Sequence, residues 1–355
     1  MPFWGLFKKK RSYLGVDIGT ASIKVVELEA GSNHNPRLVT YGRAEQTSAD
    51  LTKVDAERDL ERITTTLKEV CRQAHTTSNQ AIAALPTFAV FSSVISLPQM
   101  SDRELKAAIS WEARKFVPLP IEEMILDFKV LSRAPNIGDE EGKDMRVLLT
   151  AAPQNVVKKY LEIFKGAGIE LLSLETEAFA LERSLVGGSR EVVMVVDMGD
   201  VTTNICVIDN GIPILNRSVD IGGLTLTKAI AHSLNIDIKR AEQFKRDVGL
   251  TASASTAGNI PKTIEATIGP IVNEVKYSLS LYQSQSAQPV EKIILTGGSA
   301  FLPNLPAYLE NLFQLKTYLG DPWARVSYPV DLKPILEEIG PRFAAAIGLA
   351  MRELV

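Results

Sequence analysis

Residues 14–28 read LGVDIGTASIKVVEL, and this stretch decides the fold. Apolar and β-branched residues precede Asp17 and follow Ser22, which is typical of a hairpin of two buried strands. The turn between them offers backbone N–H groups, two hydroxyls and the ammonium group of Lys24 to an anion, while the carboxylate of Asp17 suits hydrated magnesium. Many hairpins also turn on Asp and Gly for conformational reasons alone, so this stretch by itself leaves both interpretations open.

The same pattern returns in the second half of the chain. Val192–Asp197 and Thr203–Ile208 read as strands around a second turn, which repeats the Asp-x-Gly of the first. Two such hairpins that face each other across a cleft could hold a chain of phosphates from both sides. An internal repeat of this kind predicts two similar halves, and because no low-complexity linker separates them, we expect them to pack closely.

Composition argues against several classes of function. The 355 residues suffice for about two domains, and with 39 Lys+Arg against 42 Asp+Glu the net charge of −3 gives no positive field for nucleic acid. Two cysteines, Cys71 and Cys206, and three histidines, His34, His75 and His232, match no metal-ligand spacing, which argues against a zinc enzyme. Apolar runs of about five residues are far shorter than the roughly 18 that a membrane span needs.

A separate α+β module is predicted between the two hairpins, over residues 86–168. Ser101-Asp102-Arg103-Glu104 is a capping box, which opens a helix that runs to about Val117. A polar loop, Pro135–Asp144, joins two of its strands. The strands and the second helix that complete the module are predicted at Val90–Leu97, Ile125–Ser132, Arg146–Ala151 and Gln154–Gly168.

Residues 3–11, FWGLFKKKR, have an unusual composition. An aromatic cluster beside a basic run is typical of a segment that rests on an anionic membrane surface or docks on a partner. A frayed tail that its basic residues keep solvated explains the same composition, and the sequence leaves both interpretations open.

Several motifs, taken in order, resemble the actin-like ATPase superfamily, which includes actin, the heat-shock chaperone ATPases, sugar kinases, MreB and FtsA. They are Asp17-Ile-Gly-Thr, Glu177, Asp197-Met-Gly, Gly222-Gly223, Ala241-Glu242-x-x-Lys245, Gly297-Gly298-Ser299 and the small-residue helix Ala344–Gly348. The resemblance implies an α/β fold with two ribonuclease-H-like halves around a nucleotide cleft, and an FtsA-like α+β insert in the first half. Leu174–Leu185 and Phe343–Ala350 would be the connecting helices that cross between the halves.

The resemblance also implies a division into subdomains. Residues 1–85 would be the first half of subdomain 1A with the N-terminal tail, 86–168 the inserted subdomain 1C, 169–190 the remainder of 1A with the connecting helix, 191–224 and 289–340 subdomain 2A, 225–288 subdomain 2B, and 341–355 the C-terminal connecting helix.

A site for ATP or ADP with Mg²⁺ follows from the same resemblance. Asp17 and Asp197 would hold the metal, and Glu177 would be the catalytic residue that orients the attacking water. The alternative for Glu177 is a charge at a helix end that pairs with Arg183 or with solvent. The residues that would contact the nucleotide are Gly19, Thr20, Ala21, Ser22, Ile23 and Lys24 in the first loop, Gly199, Asp200, Thr202 and Thr203 in the second, and Gly222, Gly223, Glu242, Lys245, Gly297, Gly298 and Ser299 elsewhere in the cleft.

Two details bear on the strength of that site. Glu242 and Lys245 share a helix face and would flank the ribose and base, but a surface ion pair explains the same spacing. In the second loop, Asp200 and Val201 stand where glycines are common in the superfamily, and Asn204 where an Asp is common. A bulkier turn with an added carboxylate should weaken the grip on phosphate, so we expect ATP binding with slow or partner-dependent hydrolysis.

Within the superfamily, the chain is most similar to the PilM family, the cytoplasmic actin-like proteins of type IV pilus assembly. The features are residues 3–10 ahead of Leu14–Gly19, Ser22–Leu28, Leu97-Pro98, Trp111-Glu112-Ala113 and Leu174–Ala180. This resemblance implies a cytoplasmic adapter at the inner face of the cytoplasmic membrane. Its expected partner is the N-terminal cytoplasmic tail of PilN, a single-span protein, with a further link to the pilus motor ATPases.

The PilN tail would bind in a groove between the first subdomain and the insert. Trp111 and Phe116 are candidates to line it, although core packing explains either residue taken singly. Two alternatives stay open, an FtsA-like division protein and a small-molecule kinase or ATPase of the same superfamily. A sugar kinase should carry a second substrate constellation deep in the cleft, and the sequence displays none that we can point to.

Overall fold

The computed structural model describes residues 11–31, 35–46, 57–117, 119–132, 144–251, 259–286 and 288–355. Residues 3–10 of the aromatic and basic segment, His34, the loops 135–143 and 252–258 and the side chain of Phe116 lie outside the described residues. In chain order the elements are β1 (Ser12–Ile18), β2 (Ser22–Glu29), β3 (Arg37–Glu45), α1 (Glu57–Gln73), β4 (Gln80–Leu85), β5 (Phe91–Pro98), α2 (Asp102–Phe116), β6 (Met124–Ser132), β7 (Asp144–Pro153), α3 (Gln154–Ala167), β8 (Glu170–Thr176), α4 (Glu177–Leu181), β9 (Val193–Met198), β10 (Thr203–Asp209), β11 (Ile212–Val219), α5 (Gly223–Leu234), α6 (Ile238–Val248), α7 (Asn259–Gln285), β12 (Lys292–Thr296), α8 (Leu305–Phe313), β13 (Lys316–Leu319) and α9 (Lys333–Met351).

The first sheet has five strands in the order β3-β2-β1-β4-β8. β1 and β2 form the antiparallel hairpin predicted from residues 14–28, and β4 and β8 continue the sheet in parallel with β1. The strands are apolar on both faces because α1 and α3 cover one face and α9 packs on the other. The hairpin predicted from sequence is therefore confirmed as the centre of the first half.

The second sheet repeats this topology, with the order β11-β10-β9-β12-β13. β9 is antiparallel to β10 and parallel to β12, as β1 is antiparallel to β2 and parallel to β4. The second core lies between this sheet and the helices α5 to α8. The internal repeat predicted from the two Asp-x-Gly turns is confirmed.

The third sheet is antiparallel, in the order β5-β7-β6, and packs against α2. Ser101 caps α2, since its side chain accepts from the backbone N–H of Glu104 while the Glu104 carboxylate accepts from the backbone N–H of Ser101. The predicted capping box and the predicted pairing of Ile125–Ser132 with Arg146–Ala151 are both confirmed. This small module leaves the first half after β4 and returns to it at α3.

Two helical segments cross between the halves, and both begin elsewhere than predicted. The first connecting helix was expected from Leu174, but Leu174–Thr176 end β8, where the sheet pairs them with Ala83–Leu85. The helix therefore begins at Glu177, as α4, and ends in a π-helical turn at Glu182–Val186. The closing helix, expected from Phe343, begins at Lys333, because Pro334 sits in its first turn, where a missing N–H breaks no hydrogen bond.

α9 lies against α4 at a very short distance. A Cβ atom on Gly348 would come within 1.8 Å of the carbonyl oxygen of Ala180, so no larger residue fits there without moving a helix. Nearby, Arg183 donates from Nε to the carbonyl oxygen of Gly348 at 2.8 Å. The two crossing segments are thus joined directly beneath the space between the halves. Within the described ranges, no helix combines the length and apolar character needed to cross a membrane.

Candidate functional site

A cavity of 590 Å³ lies between the two halves, within the size range of small-molecule sites. Both Asp-x-Gly turns open into it, and α4 and α9 contribute to its lining. The predicted residues that line it are Asp17, Gly19, Thr20, Ala21, Ser22, Lys24, Glu177, Asp197, Gly199, Asp200, Thr202, Glu242, Lys245, Gly297, Gly298 and Ser299. Residues from five separate parts of the chain therefore meet in one place.

An equivalent backbone hydrogen bond closes each of the two turns. The N–H of Gly19 donates to the carbonyl of Ser22 at 3.1 Å, and the N–H of Gly199 donates to the carbonyl of Thr202 at 2.9 Å. In the first hairpin, Lys24 Nζ lies 2.7 Å from Asp17 Oδ2. Each turn thus presents its tip to the cavity with an acidic residue at its base.

Four predicted contact residues do not line the cavity. The side chain of Ile23 is fully buried in the core of the first half. Thr203 is also buried, and its hydroxyl donates to the carbonyl of Ile221 at 2.7 Å. Gly222 and Gly223 lie behind the second turn, where the N–H of Gly223 donates to the carbonyl of Gly199 at 3.0 Å. These residues support the loops, and the structure gives them no direct place at the cavity surface.

Three carboxylates converge at the bottom of the cavity. The pKa of Glu177 is raised to about 8, first by burial and then by the negative charges of Asp17 and Asp197. Burial, followed by the charge of Asp17, raises the pKa of Asp197 to about 6. A cation bound among these carboxylates would relieve their mutual repulsion, and oxygen donors are the ligands that magnesium prefers.

The same carboxylates do not form a complete protein cage for a metal. Among the described residues, no group of three or more His, Cys, Asp and Glu has the geometry to hold a metal ion. Magnesium commonly retains several waters and binds one or two carboxylates together with phosphate oxygens. The arrangement of Asp17 and Asp197 therefore fits a magnesium ion that arrives with a phosphorylated ligand.

Glu177 is held by two neutral donors. Thr87 Oγ1 and Asn204 Nδ2 both donate to Glu177 Oε2, each at 2.8 Å. Arg183 instead pairs with Glu175, so the alternative in which Glu177 pairs with Arg183 is wrong. Glu177 lines the cavity from the start of α4.

Lys245 is buried, and all three of its ammonium donors are engaged. Its Nζ lies 2.6 Å from Glu242 Oε2, 2.9 Å from Thr227 Oγ1 and 3.0 Å from the carbonyl oxygen of Gly223. The ion pair of Glu242 and Lys245 is thus present, but its lysine is buried and does not lie on the surface. The pair fixes the wall of the cavity behind the second turn.

The loop Gly297–Ser299 is tied to two other parts of the site. The N–H of Gly297 donates to the carbonyl of Pro341 at 3.0 Å, and the Ser299 hydroxyl donates to the carbonyl of Gly199 at 2.9 Å. Gly297 has a φ of 85° and a ψ of 172°, a region that is essentially confined to glycine. A Cβ there would also come within 2.3 Å of Asp197 Oδ1, so this position requires glycine.

Cationic and aromatic residues that the sequence analysis did not single out complete the lining. Arg342 lies over the ring of Phe301, 5.4 Å from the ring centroid. Burial lowers the pKa of Arg342, and the positive charges of Arg43 and Arg246 lower it further. Three arginines from different elements thus meet around the cavity. Phe301 directly follows the Gly-Gly-Ser-Ala motif and was within reach of sequence reasoning, but the arginines carry no local signal.

The inserted module has one large aromatic residue on its surface. Trp111 on α2 is 64% exposed, so the core-packing interpretation is wrong for this residue. The ammonium of Lys115 lies 4.3 Å from the centroid of its ring. Trp111 is available for contact with another molecule.

Known proteins resemble this chain in sequence and in structure. The family model described as type IV pilus assembly protein PilM matches residues 15–354. Cell division protein FtsA from Streptococcus pneumoniae serotype 2 strain D39 is 23% identical over 353 residues, which is 87% of this chain and 75% of that protein.

Solved structures extend the comparison. The PilM–PilN type IV pilus biogenesis complex contains a chain that is 30% identical, with a TM-score of 0.80 over 97% of this chain and 98% of that chain. MreB5 of Spiroplasma citri bound to AMPPNP shares the fold, with a TM-score of 0.53 and 14% identity over 95% of this chain and 94% of that chain. The predicted actin-like ATPase fold is confirmed, and the chain belongs to the PilM family of type IV pilus assembly proteins.

Proposed function

We propose that this chain binds ATP or ADP with Mg²⁺ in the cavity between its halves and serves as a nucleotide-binding adapter in type IV pilus assembly. The observation that carries the proposal is the pair of equivalent turns, at Gly19 and Gly199, which open into one cavity from opposite halves. Turns that present backbone N–H groups from two sides fit a chain of phosphates.

Each part of the cavity has a role in this proposal. The two turns and Lys24 would contact the phosphates, while Asp17 and Asp197 would hold the hydrated metal. Magnesium, when bound, would neutralise phosphate charge beside these carboxylates. The loop at Gly297 lacks side chains where a purine and its ribose would lie, and Phe301 with Arg342 offers a flat face beside it.

Hydrolysis is expected to be slow. Glu177 would orient the attacking water, but two donors already occupy its Oε2. In the second turn, Asp200 lines the cavity and would set a further carboxylate beside the phosphates. Both features favour a bound state that persists, which suits a conformational switch better than rapid turnover.

The proposed partner is the N-terminal cytoplasmic tail of PilN. A chain of the PilM–PilN complex matches this one along nearly its whole length, which supports the same partner here. The tail would lie between the first sheet and the inserted module, close to the exposed Trp111. We propose that the chain works at the inner face of the cytoplasmic membrane and links PilN to the pilus motor ATPases. The division into subdomains 1A, 1C, 2A and 2B is part of the same proposal.

Isothermal titration calorimetry of the full chain tests both parts. ATP·Mg is the first ligand, and a synthetic peptide of the PilN tail from the same genome is the second, with a scrambled peptide as control. We expect saturable 1:1 binding of each ligand. Absence of heat with ATP·Mg would remove the nucleotide part, and absence of peptide binding with and without ATP·Mg would remove the adapter part.

A further inference from the structure

The two hairpins differ at one equivalent position. In the β1–β2 pair, Lys24 stands directly opposite Asp17, and in the β9–β10 pair, Asn204 stands directly opposite Asp197. Lys24 turns to its own aspartate, with Nζ 2.7 Å from Asp17 Oδ2. Asn204 has a different partner, since its Nδ2 lies 2.8 Å from Glu177 Oε2. The first hairpin therefore has an ion pair within itself, whereas the second hairpin has at the equivalent position a hydrogen bond to the crossing helix α4.

The orientation of the Asn204 amide is fixed from its other side. The hydroxyl of Ser218, on the neighbouring strand β11, donates to Asn204 Oδ1 at 2.8 Å. With its oxygen held by Ser218, the amide directs its NH₂ group at Glu177. An aspartate at position 204 would offer no such donor and would add a further negative charge beside Glu177, next to those of Asp17 and Asp197.

Thr87 reaches the same carboxylate oxygen from the other half. Its hydroxyl donates to Glu177 Oε2 at 2.8 Å. Thr87 opens the short helical turn Thr87–Ala89, which connects β4 of the first sheet to β5 of the inserted module. A continuous line of hydrogen bonds thus runs from the base of the inserted module, through Glu177, to the second sheet.

We propose that Thr87 and Asn204 are positioning residues for Glu177, and that these three side chains form a bridge through which a nucleotide in the cavity sets the position of the inserted module. The inference rests on the nucleotide binding proposed above. Glu177 faces the cavity, so a ligand that contacts both turns and closes the halves strengthens the Asn204 side of the bridge. Through its hydrogen bond to Thr87, Glu177 transmits that change to the start of β5, and β5 belongs to the inserted module that carries Trp111.

Hydrogen exchange of the full chain, measured by mass spectrometry with and without AMPPNP·Mg, tests the bridge. We expect AMPPNP·Mg to slow exchange in both turns and also in β5, the latter by about fivefold or more, which is the lower end of ordinary coupling between sites. Thr87→Val keeps the shape of the side chain and removes the donor. It should retain protection of the turns and lose the response in β5, and Thr87→Ser should restore that response.

A second variant keeps the test decisive if Thr87→Val fails to fold. Ser218→Ala removes the hydroxyl that orients Asn204 and leaves the side chains of Glu177 and Thr87 unchanged, and it should also weaken the β5 response. Turns that stay unprotected in the unaltered chain would overturn both the proposed function and the bridge. Protected turns with no response in β5, or a β5 response that survives both Thr87→Val and Ser218→Ala, would overturn the bridge alone.

Discussion

Lys24 Nζ lies 2.7 Å from Asp17 Oδ2, between side chains that are only 15% and 11% exposed. Asp197, the equivalent of Asp17 in the second half, has Asn204 opposite it and forms no ion pair within the part of the chain that the structure describes, although the charge of Lys24 also acts on it. Lys24 therefore compensates Asp17 more fully than Asp197, and burial, followed by the charge of Asp17, raises the pKa of Asp197 to about 6. In the proposed site, Asp197 would therefore attract the metal more strongly than Asp17, whose carboxylate also orients Lys24.

Asp17→Asn should weaken binding of ATP·Mg. The substitution removes a proposed metal ligand and frees Lys24 from its partner, so magnesium-dependent affinity falls while the attraction of Lys24 for phosphate remains. We expect the affinity for ATP·Mg to drop at least about tenfold, or about 1.4 kcal/mol. The affinity for ATP in EDTA should change less. Titration calorimetry under both conditions measures the two values.

Asp209→Asn is the matched control for this change. Asp209 ends β10 in the same half as Asp197 and accepts from Tyr282, and it lies outside the cavity. Asp209→Asn should leave the affinity for ATP·Mg and the affinity for ATP in EDTA unchanged. Equal losses for ATP with and without magnesium in Asp17→Asn would show that Asp17 acts through the hairpin and not through the metal.

Glu177→Gln should change how stability depends on pH. The pKa of Glu177 in the folded chain is about 8, against 4.5 ordinarily, so between these values the folded state holds a proton that the unfolded state has lost. Unfolding then releases a proton, and the free energy of unfolding falls as pH rises from 4.5 through 8. Glutamine does not titrate and still accepts from Thr87 and Asn204. The free energy of unfolding of the variant therefore lacks the decrease with pH that Glu177 causes.

Urea unfolding at pH 5 and pH 8 measures the effect. The stability of Glu177→Gln relative to the unaltered chain should rise between these two pH values by about 1 kcal/mol or more, after allowance for screening by solvent in the cavity. Asp17 and Asp197 are coupled to Glu177 by charge, so the difference between the two proteins measures the titration of Glu177 within this group of carboxylates. A stability difference that stays constant from pH 5 to pH 8 would contradict a raised pKa at Glu177.

Sequence reasoning reached the hairpins because their signal is local. Apolar β-branched runs around Asp-x-Gly predict both the strands and the turn, and the second copy predicts the repeat. β8 was missed because it is an edge strand with exposed Leu172 and partly polar residues, and its partner β4 lies far away in the chain. The first connecting helix was begun too early for the same reason.

The partners of Glu177 could not have been predicted in this way. Thr87 and Asn204 lie 90 and 27 residues away from it along the chain, and each belongs to a different sheet or connection. The meeting of Arg43, Arg246 and Arg342 likewise depends on how three elements pack. Local patterns fix strands and turns, whereas such contacts appear only once the halves are placed together.

Gly297→Ala should destabilise the chain, whereas Gly298→Ala should leave its stability close to that of the unaltered chain. Gly297 has a φ of 85°, and a Cβ there would lie 2.3 Å from Asp197 Oδ1 and 2.5 Å from the carbonyl oxygen of Met198. We expect a loss of roughly 1–3 kcal/mol from backbone strain alone, together with loss of ATP·Mg binding. A Cβ on Gly298 would meet only the Arg342 side chain, at 3.7 Å, which is an ordinary contact. Unfolding midpoints and calorimetric affinities compare the two, and equal behaviour would contradict the requirement for glycine at 297.

Tyr160→Phe should stabilise the chain, whereas Tyr282→Phe should destabilise it. Both rings are buried, but the Tyr160 hydroxyl has no hydrogen-bond partner among the described residues, while Tyr282 donates to Asp209 at 3.2 Å and accepts from Ser286 at 3.0 Å. Burial, with the charges of Glu177 and Asp17, raises the pKa of Tyr160 well above its ordinary value, so the hydroxyl is neutral and unsatisfied. Removing it should raise the free energy of unfolding by about 1 kcal/mol, and removing the Tyr282 hydroxyl should lower it by a similar amount.

Urea unfolding of the two variants at pH 7 gives both values. An equal loss in both would mean that Tyr160 holds an ordered water beside the carboxylates of the cavity.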